Sequence, residues 1–215
     1  MHLKRQKTPK SWPTYRKGTK YIIKPKSAPG AGVPLLLAAR DMLKVARNRK
    51  EVKRAIFMKH ILVNNKTPRD EKKPVLLFDT VSLVPAGKSY RLDLTEKGKF
   101  TLTEIKSSEA NKKAAKVIDK KVLKGKKVQL NFSDGKNLIS DIGCKVNDSV
   151  LLNFKEKKAE KCLPLTEGAM IVVFSGKHAG KRGKIKSMDL QKKIVEFEAN
   201  KDRLNVLIKQ VIVVE

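Results

Sequence analysis

The sequence predicts an α+β protein of several small domains, rich in strands and short of long helices. Three observations carry that expectation. Apolar residues recur at helical spacing in only two stretches, near 35–46 and 49–58. From residue 61 onward, short runs of β-branched and large apolar residues alternate with turn residues such as Asn64-Asn65 and Asp134-Gly135. Ahead of both lies a segment interrupted by Pro9, Pro13, Pro25 and Pro29, which no regular helix accommodates.

That opening segment, 1–33, is expected to be an extended basic arm. It has no acidic residue, and Lys4, Arg5, Lys10, Arg16 and Lys17 are interleaved with Trp12, Tyr15 and Tyr21. It has too little apolar surface to fold alone in water. Laid along phosphates it is neutralised, and its aromatics can stack on exposed bases.

Residues 34–87 read as a small α/β module. Pro34 suits the first turn of a helix over Leu35–Ala46, with Leu35, Leu36, Ala39, Met42, Leu43 and Ala46 on one face and Arg40, Lys44 and Arg47 elsewhere. A second helix is expected from Arg49 to Met58, with Val52, Ala55 and Ile56 inward and Arg49, Lys50, Lys53 and Arg54 outward. Strands follow at Ile61–Val63, Val75–Leu77 and Val81–Val84, with Asn64-Asn65 in a left-handed turn.

Residues 88–164 are expected to be mostly strands, at Phe100–Ile105, Val128–Phe132, Leu138-Ile139 and Val150–Phe154. Ser108–Ala115 reads as a short helix capped by Ser107 or Ser108, and Lys116–Leu123 as a strand because of its β-branched pairs. In the last segment, 165–215, the run Met170–Phe174 leads into a loop with Gly176, Gly180 and Gly183, read as positions of positive φ. Lys177, His178, Lys181, Arg182 and Lys184 surround loop amides that could face an anion. Ile194–Phe197 and Val211–Val214 close the chain.

Charge decides the class of partner. The 215 residues hold 50 Lys and Arg against 21 Asp and Glu, a net charge of +29, while 40% hydrophobic residues are enough for packed cores. Self-repulsion at this charge opposes compactness, so a polyanionic partner is expected. Lys and Arg displace counterions from phosphates, which favours nucleic acid over an anionic membrane. Val33–Ala39, the longest apolar stretch, contains Pro34 and is too short to span a bilayer. His2-Leu3-Lys4-Arg5 is no secretory signal, so a cytosolic protein is expected. Cys144 and Cys162 form no C-x-x-C pair and are expected to be reduced, with neither disulfide nor zinc. No cofactor, metal or small-molecule substrate is expected.

With those residues in view, a family resemblance emerges. Gly168, Val172-Val173, Gly176, Gly180 and Gly183 resemble a KOW motif, the start of a small SH3-like barrel. Arg49–Lys66, with Ala55-Ile56 and Val63-Asn64, resembles the RNA-binding module named after ribosomal protein four. His2-Leu3-Lys4-Arg5, Pro9-Lys10-Ser11-Trp12, Phe78-Asp79-Thr80-Val81, Tyr90-Arg91-Leu92, Glu109-Ala110 and Lys145-Val146-Asn147-Asp148 resemble, in register, the archaeal and eukaryotic small-subunit ribosomal proteins of the S-four-e family. Departures are Asn65 where the family usually has Gly, and a chain that stops at Glu215 where members usually carry a further C-terminal segment.

The resemblance implies a structural component of the small ribosomal subunit in the cytoplasm, bound to ribosomal RNA and neighbouring ribosomal proteins. On that reading Lys4, Arg5, Lys10, Trp12, Arg16 and Lys17 thread along RNA. Arg40, Lys44, Arg47, Arg49, Lys53 and Arg54 face phosphates, and Lys177, His178, Lys181 and Arg182 add the last contacts. Two rival readings are weighed. KOW barrels also occur in transcription elongation factors, which leaves the acid-free arm unexplained. Arg91-Leu92-Asp93 resembles part of the Arg-Leu-Asp motif of pseudouridine synthases, in which the Asp is the nucleophile. Here Tyr90 replaces the usual preceding Gly, and there is no room for a catalytic domain, so the chain is expected not to be an enzyme.

Overall fold

In a computed structural model, residues 2–140, 142–199 and 202–214 are described, with the Lys126 side chain set aside. The expected domain ends at Met1 and Glu215 therefore lie outside the described residues. The described residues are β-rich with two short α-helices, and the chain divides into two units, Met1–Thr95 with Lys99–Asn111, and Glu96–Gly98 with Lys112–Glu215.

In the first unit the arm is more structured than expected. Strand β1 (Leu3–Lys4) pairs antiparallel with β2 (Tyr21–Ile22), so the chain between them is a closed loop. Trp12 is only 2% exposed, and its indole N–H donates to the Pro29 and Gly32 carbonyls at 3.1 and 2.9 Å. The Ser11 carbonyl accepts from the Phe100 N–H at 2.8 Å. An aromatic buried this deeply, with its one donor satisfied, is an anchor.

Strand β3 (Gly32–Pro34) runs into helix α1 (Leu35–Leu37), which widens into a π-helical stretch at Ala38–Met42. The Leu43 N–H reaches back to the Ala38 carbonyl, and Lys44 then takes φ 56°, so the helix expected to reach Ala46 stops early. Helix α2 (Arg49–Phe57) forms as expected. Asn48 caps it, its Oδ1 accepting from the Glu51 N–H at 3.0 Å, while Val52 and Ile56 are buried. Two sheets complete the unit. β3 pairs with β5 (Pro74–Leu76), and β4 (Ile61–Val63), β6 (Thr80–Leu83), β7 (Lys88–Leu94) and β8 (Phe100–Ile105) form a four-stranded antiparallel sheet in that order. Pairing of β6 with β7 carries this sheet across the 87/88 position at which the sequence pattern divides the chain.

The stretch Phe78-Asp79-Thr80 has an architectural role. Phe78 takes φ 61°, and the Asp79 carboxylate accepts from the Leu76 N–H (2.9 Å) and the Asn64 side-chain N–H (2.8 Å). Asn64, at φ 52°, in turn accepts from the Thr80 N–H at 2.9 Å.

In the second unit, Ser108–Ala115 is not the helix expected. Glu109–Asn111, the end of the first unit, is a 3₁₀ turn, and β9 (Lys112–Val122) begins at once. Ala115 and Val117 are needed inside the sheet, and tertiary burial overrides helix propensity. β9 sits at the centre of a five-stranded sheet with β10 (Val128–Phe132), β11 (Asn137–Ile139), β12 (Ser149–Asn153) and β13 (Lys158–Leu163), ordered β11-β10-β9-β12-β13. Asp134-Gly135 makes the expected hairpin, with Gly135 at φ 78°.

The last sheet, β17-β16-β15-β14-β18, comprises β14 (Met170–Val173), β15 (Arg182–Asp189), β16 (Ile194–Ala199), β17 (Asp202–Leu207) and β18 (Val211–Val213), all neighbours antiparallel. Its core gathers Ile171, Val173, Ile185, Val195, Phe197 and Val211. Gly176 and Gly180 take the expected positive φ, 90° and 91°, but Gly183 does not. It lies in β15, where a Cβ would stand 1.9 Å from the Glu198 carbonyl oxygen. Glycine is required there for close strand approach. The two five-stranded sheets are tied by side chains: the Lys116 ammonium donates to the Ile208 and Val211 carbonyls, and the Ser149 hydroxyl accepts from the Val213 N–H at 2.9 Å.

Candidate nucleic-acid interface

The sixteen basic and aromatic residues singled out from the sequence sort into three environments. Lys4, Lys10, Arg16, Lys17, Lys44, Arg47, Lys53, Arg54, Lys177 and Arg182 are exposed. Of these, Lys53 and Arg54 share the outer face of α2 with Lys50, because residues three and four apart on a helix are neighbours. Asn48, Glu51 and their hydrogen bonds fix the start of that helix and so the direction of the stripe.

A second group is already engaged within the chain. The Arg5 guanidinium donates to the Thr19 carbonyl (2.8 Å), the Tyr15 carbonyl (2.7 Å) and the Thr19 hydroxyl (3.1 Å), closing the arm's loop. Arg40 grips Asp41 with two hydrogen bonds, 2.6 and 2.9 Å, and that contact raises the guanidinium pKa further. Arg49 pairs with Glu71, a carboxylate only 2% exposed, and so compensates a buried charge. Trp12 stands apart: threading along RNA was expected of it, but its ring is inside the protein and cannot stack on a base.

The third group is the loop between β14 and β15. His178 and Lys181 are half-buried there. The amides of Ala179, Gly180 and Lys181 donate to the carbonyls of Gly176 (3.3 Å), Val173 (2.7 Å) and His178 (3.2 Å). These three amides therefore do not face an anion, contrary to the expectation. What the loop offers outward is side-chain charge, chiefly Lys177 and Arg182.

Asp93 is buried in β7 and accepts from the Leu94 N–H, away from any substrate in solution. Burial, with Cys144 and Asp148 beside it, pushes the Cys162 thiol up to about 12, which keeps it protonated and a poor metal ligand. Among the described residues no three His, Cys, Asp or Glu side chains cluster to hold a metal, and no helix is long and apolar enough to cross a membrane.

Comparison with known proteins places this chain in a family. The family model described as ribosomal family S4e matches residues 86–159. Small ribosomal subunit protein eS4 from Methanocella arvoryzae is 37% identical over 192 residues, covering 87% of this chain and 80% of that protein. The chain belongs to ribosomal family S4e. The Archaeoglobus fulgidus member is 38% identical over 189 residues, with 87% of this chain and 80% of that protein covered. The crystal structure of the 30S ribosomal protein S4e from Thermoplasma acidophilum superposes with a TM-score of 0.71 at 24% identity, covering 84% of this chain and 93% of that one. At that identity the superposition supports the fold. The motifs that resemble the family mix two tasks. Phe78–Thr80 and Asp148 hold backbone turns, Asp148 accepting from the Lys145 and Leu165 N–H groups, whereas other motif positions carry exposed cations.

Proposed function

We propose that this chain is a structural constituent of the small ribosomal subunit, bound to ribosomal RNA and stabilising the assembled particle, and that it is not an enzyme. The observation that carries the reading is its 37% identity, over 87% of its length, to a protein named for that subunit. A net charge of +29 fits it, since a chain so basic is best neutralised by a polyanion. The location proposed is the cytoplasmic ribosome, with neighbouring small-subunit proteins as further partners. No small-molecule substrate, cofactor or membrane enters.

The proposed organisation keeps an arm over 1–33, an RNA-binding module of the ribosomal-protein-four type beginning at residue 34, a β-rich middle, and an SH3-like barrel with a KOW motif over 165–215. The antiparallel β17-β16-β15-β14-β18 sheet around Ile171, Val195 and Phe197 supports the last of these. The RNA footprint is proposed to be Lys4, Lys10, Arg16, Lys17, Lys44, Arg47, Lys53, Arg54, Lys177 and Arg182, with His178 and Lys181 at its margin. Arg5, Arg40 and Arg49, engaged within the chain, are proposed to shape it through those contacts.

Arg47→Glu combined with Arg54→Glu tests the footprint. Both side chains are exposed. Binding to small-subunit ribosomal RNA should weaken, and the slope of log K against log salt should fall by roughly 0.7–0.9 for each phosphate that is no longer neutralised. An unchanged slope removes the two residues from the footprint.

A further inference from the structure

Helix α2 carries a side chain that its packing does not explain. Phe57 is 86% exposed, yet it ends a helix whose inward residues are Val52 and Ile56. At 100° per residue Phe57 is turned away from Ile56, and the positions three, four and seven residues before it are Arg54, Lys53 and Lys50, all exposed. The outer face of α2 is thus a stripe of three cations, roughly 10 Å long at 1.5 Å per residue, that finishes in a bare aromatic ring. Phenylalanine is not a strong helix former, so a solvent-facing position gains nothing from it intrinsically. Beyond it Met58 is 45% exposed, and Lys59, at φ 59°, turns the chain away.

The charge of the chain segment that follows indicates what the ring meets. From Val52 to Arg69 there is no acidic residue, while Lys53, Arg54, Lys59, Lys66 and Arg69 are all exposed. An apolar protein surface would have to bring its own acidic rim to this patch. A polyanion with flat apolar faces matches it directly, and unpaired nucleotides combine phosphate with an exposed π-face. A duplex keeps its faces stacked and offers only phosphates and groove edges.

We propose that Phe57 is a stacking platform for an unpaired base, with Lys50, Lys53 and Arg54 holding the phosphates that lead to it. The proposal rests on the RNA-binding reading above and narrows it: this face of α2 takes a single-stranded element such as a bulge, loop or strand end.

The test uses the full-length protein, a 12-nucleotide oligoadenylate as single strand, a 12-base-pair RNA duplex and inorganic polyphosphate. Phe57→Ala should weaken oligoadenylate binding about five- to 140-fold, since one stacked base is worth about 1–3 kcal/mol and every 1.4 kcal/mol is about tenfold. It should leave duplex and polyphosphate binding within about two-fold and the salt slope unchanged, because no counterion-releasing group is removed. Phe57→Trp should retain affinity and report the stack directly: its indole emission is quenched by oligoadenylate and not by polyphosphate, over a constant background from buried Trp12. Equal weakening on all three probes, or no weakening with Phe57→Ala and no selective quenching in Phe57→Trp, overturns the stacking role and leaves the ring for a protein surface. If the wild-type chain binds none of the three with a salt-dependent affinity, the RNA-binding reading itself fails.

Discussion

The fate of each charged or aromatic side chain depends on its neighbours more than on its type. Trp12 shows this most clearly. A Trp among lysines in a proline-rich arm reads as a base-stacking residue, yet its ring closes the first unit's core and its N–H has two carbonyl acceptors. Trp12→Ala should therefore destabilise the first unit by about 3–5 kcal/mol, measured by urea denaturation followed by circular dichroism; a change under about 1 kcal/mol contradicts the anchoring role. The pairing of Arg49 could not be read from sequence because its partner, Glu71, is 22 residues away. Exposure of Lys53 and Arg54 was legible, because helical spacing alone sets them opposite Val52 and Ile56. Gly183 was flagged for the wrong physical reason. Its backbone is ordinary strand, and the constraint is that a Cβ there would stand 1.9 Å from the Glu198 carbonyl oxygen. Gly183→Ala should cost roughly 1–3 kcal/mol or more from forced strand separation, read as a lowered denaturation midpoint. An unshifted midpoint would mean that β15 and β16 part freely.

At the scale of elements, strands with clean alternation and an Asp-Gly turn were legible, as was α2. What failed were boundaries set by long-range packing. The helix beginning at Leu35 ends where Lys44 adopts a left-handed conformation, and β9 extends through a stretch with helical composition because Ala115 and Val117 join the core on one face of the sheet it forms with β10 and β12. Lys116 in β9 illustrates an interaction invisible to pattern: its buried ammonium donates to carbonyls 92 and 95 residues away. Burial pulls its pKa from 10.5 down to about 8. Below pH 8 both folded and unfolded states carry the proton, and the fold bears the cost of a buried charge. Between about 8 and 10.5 the unfolded chain holds the proton and the folded chain releases it, so stability rises with pH through that window. The full rise is on the order of 3 kcal/mol. Measured against Lys116→Met, whose side chain does not titrate, wild-type stability should gain most of this between about pH 7.5 and 10. Parallel pH profiles would show that Lys116 is solvated.

For the whole molecule, charge alone gave the expectation of a polyanionic partner, and the family was legible from motifs dispersed along the chain. Those motifs turn out to hold turns and strand junctions as well as cations, so they identify the architecture better than they identify the RNA footprint. The β6–β7 pairing is a single hydrogen-bonded register, and no composition change marks whether a sheet continues past a turn at residues 84–87. The central claim is residence in the small ribosomal subunit, and a sucrose gradient of native lysate tests it most directly, with the chain quantified by mass spectrometry in every fraction. The account predicts that it follows the small-subunit peak at about one copy per particle, including after the subunits are dissociated. Recovery at the top of the gradient, or only with RNA polymerase or immature particles, would contradict it.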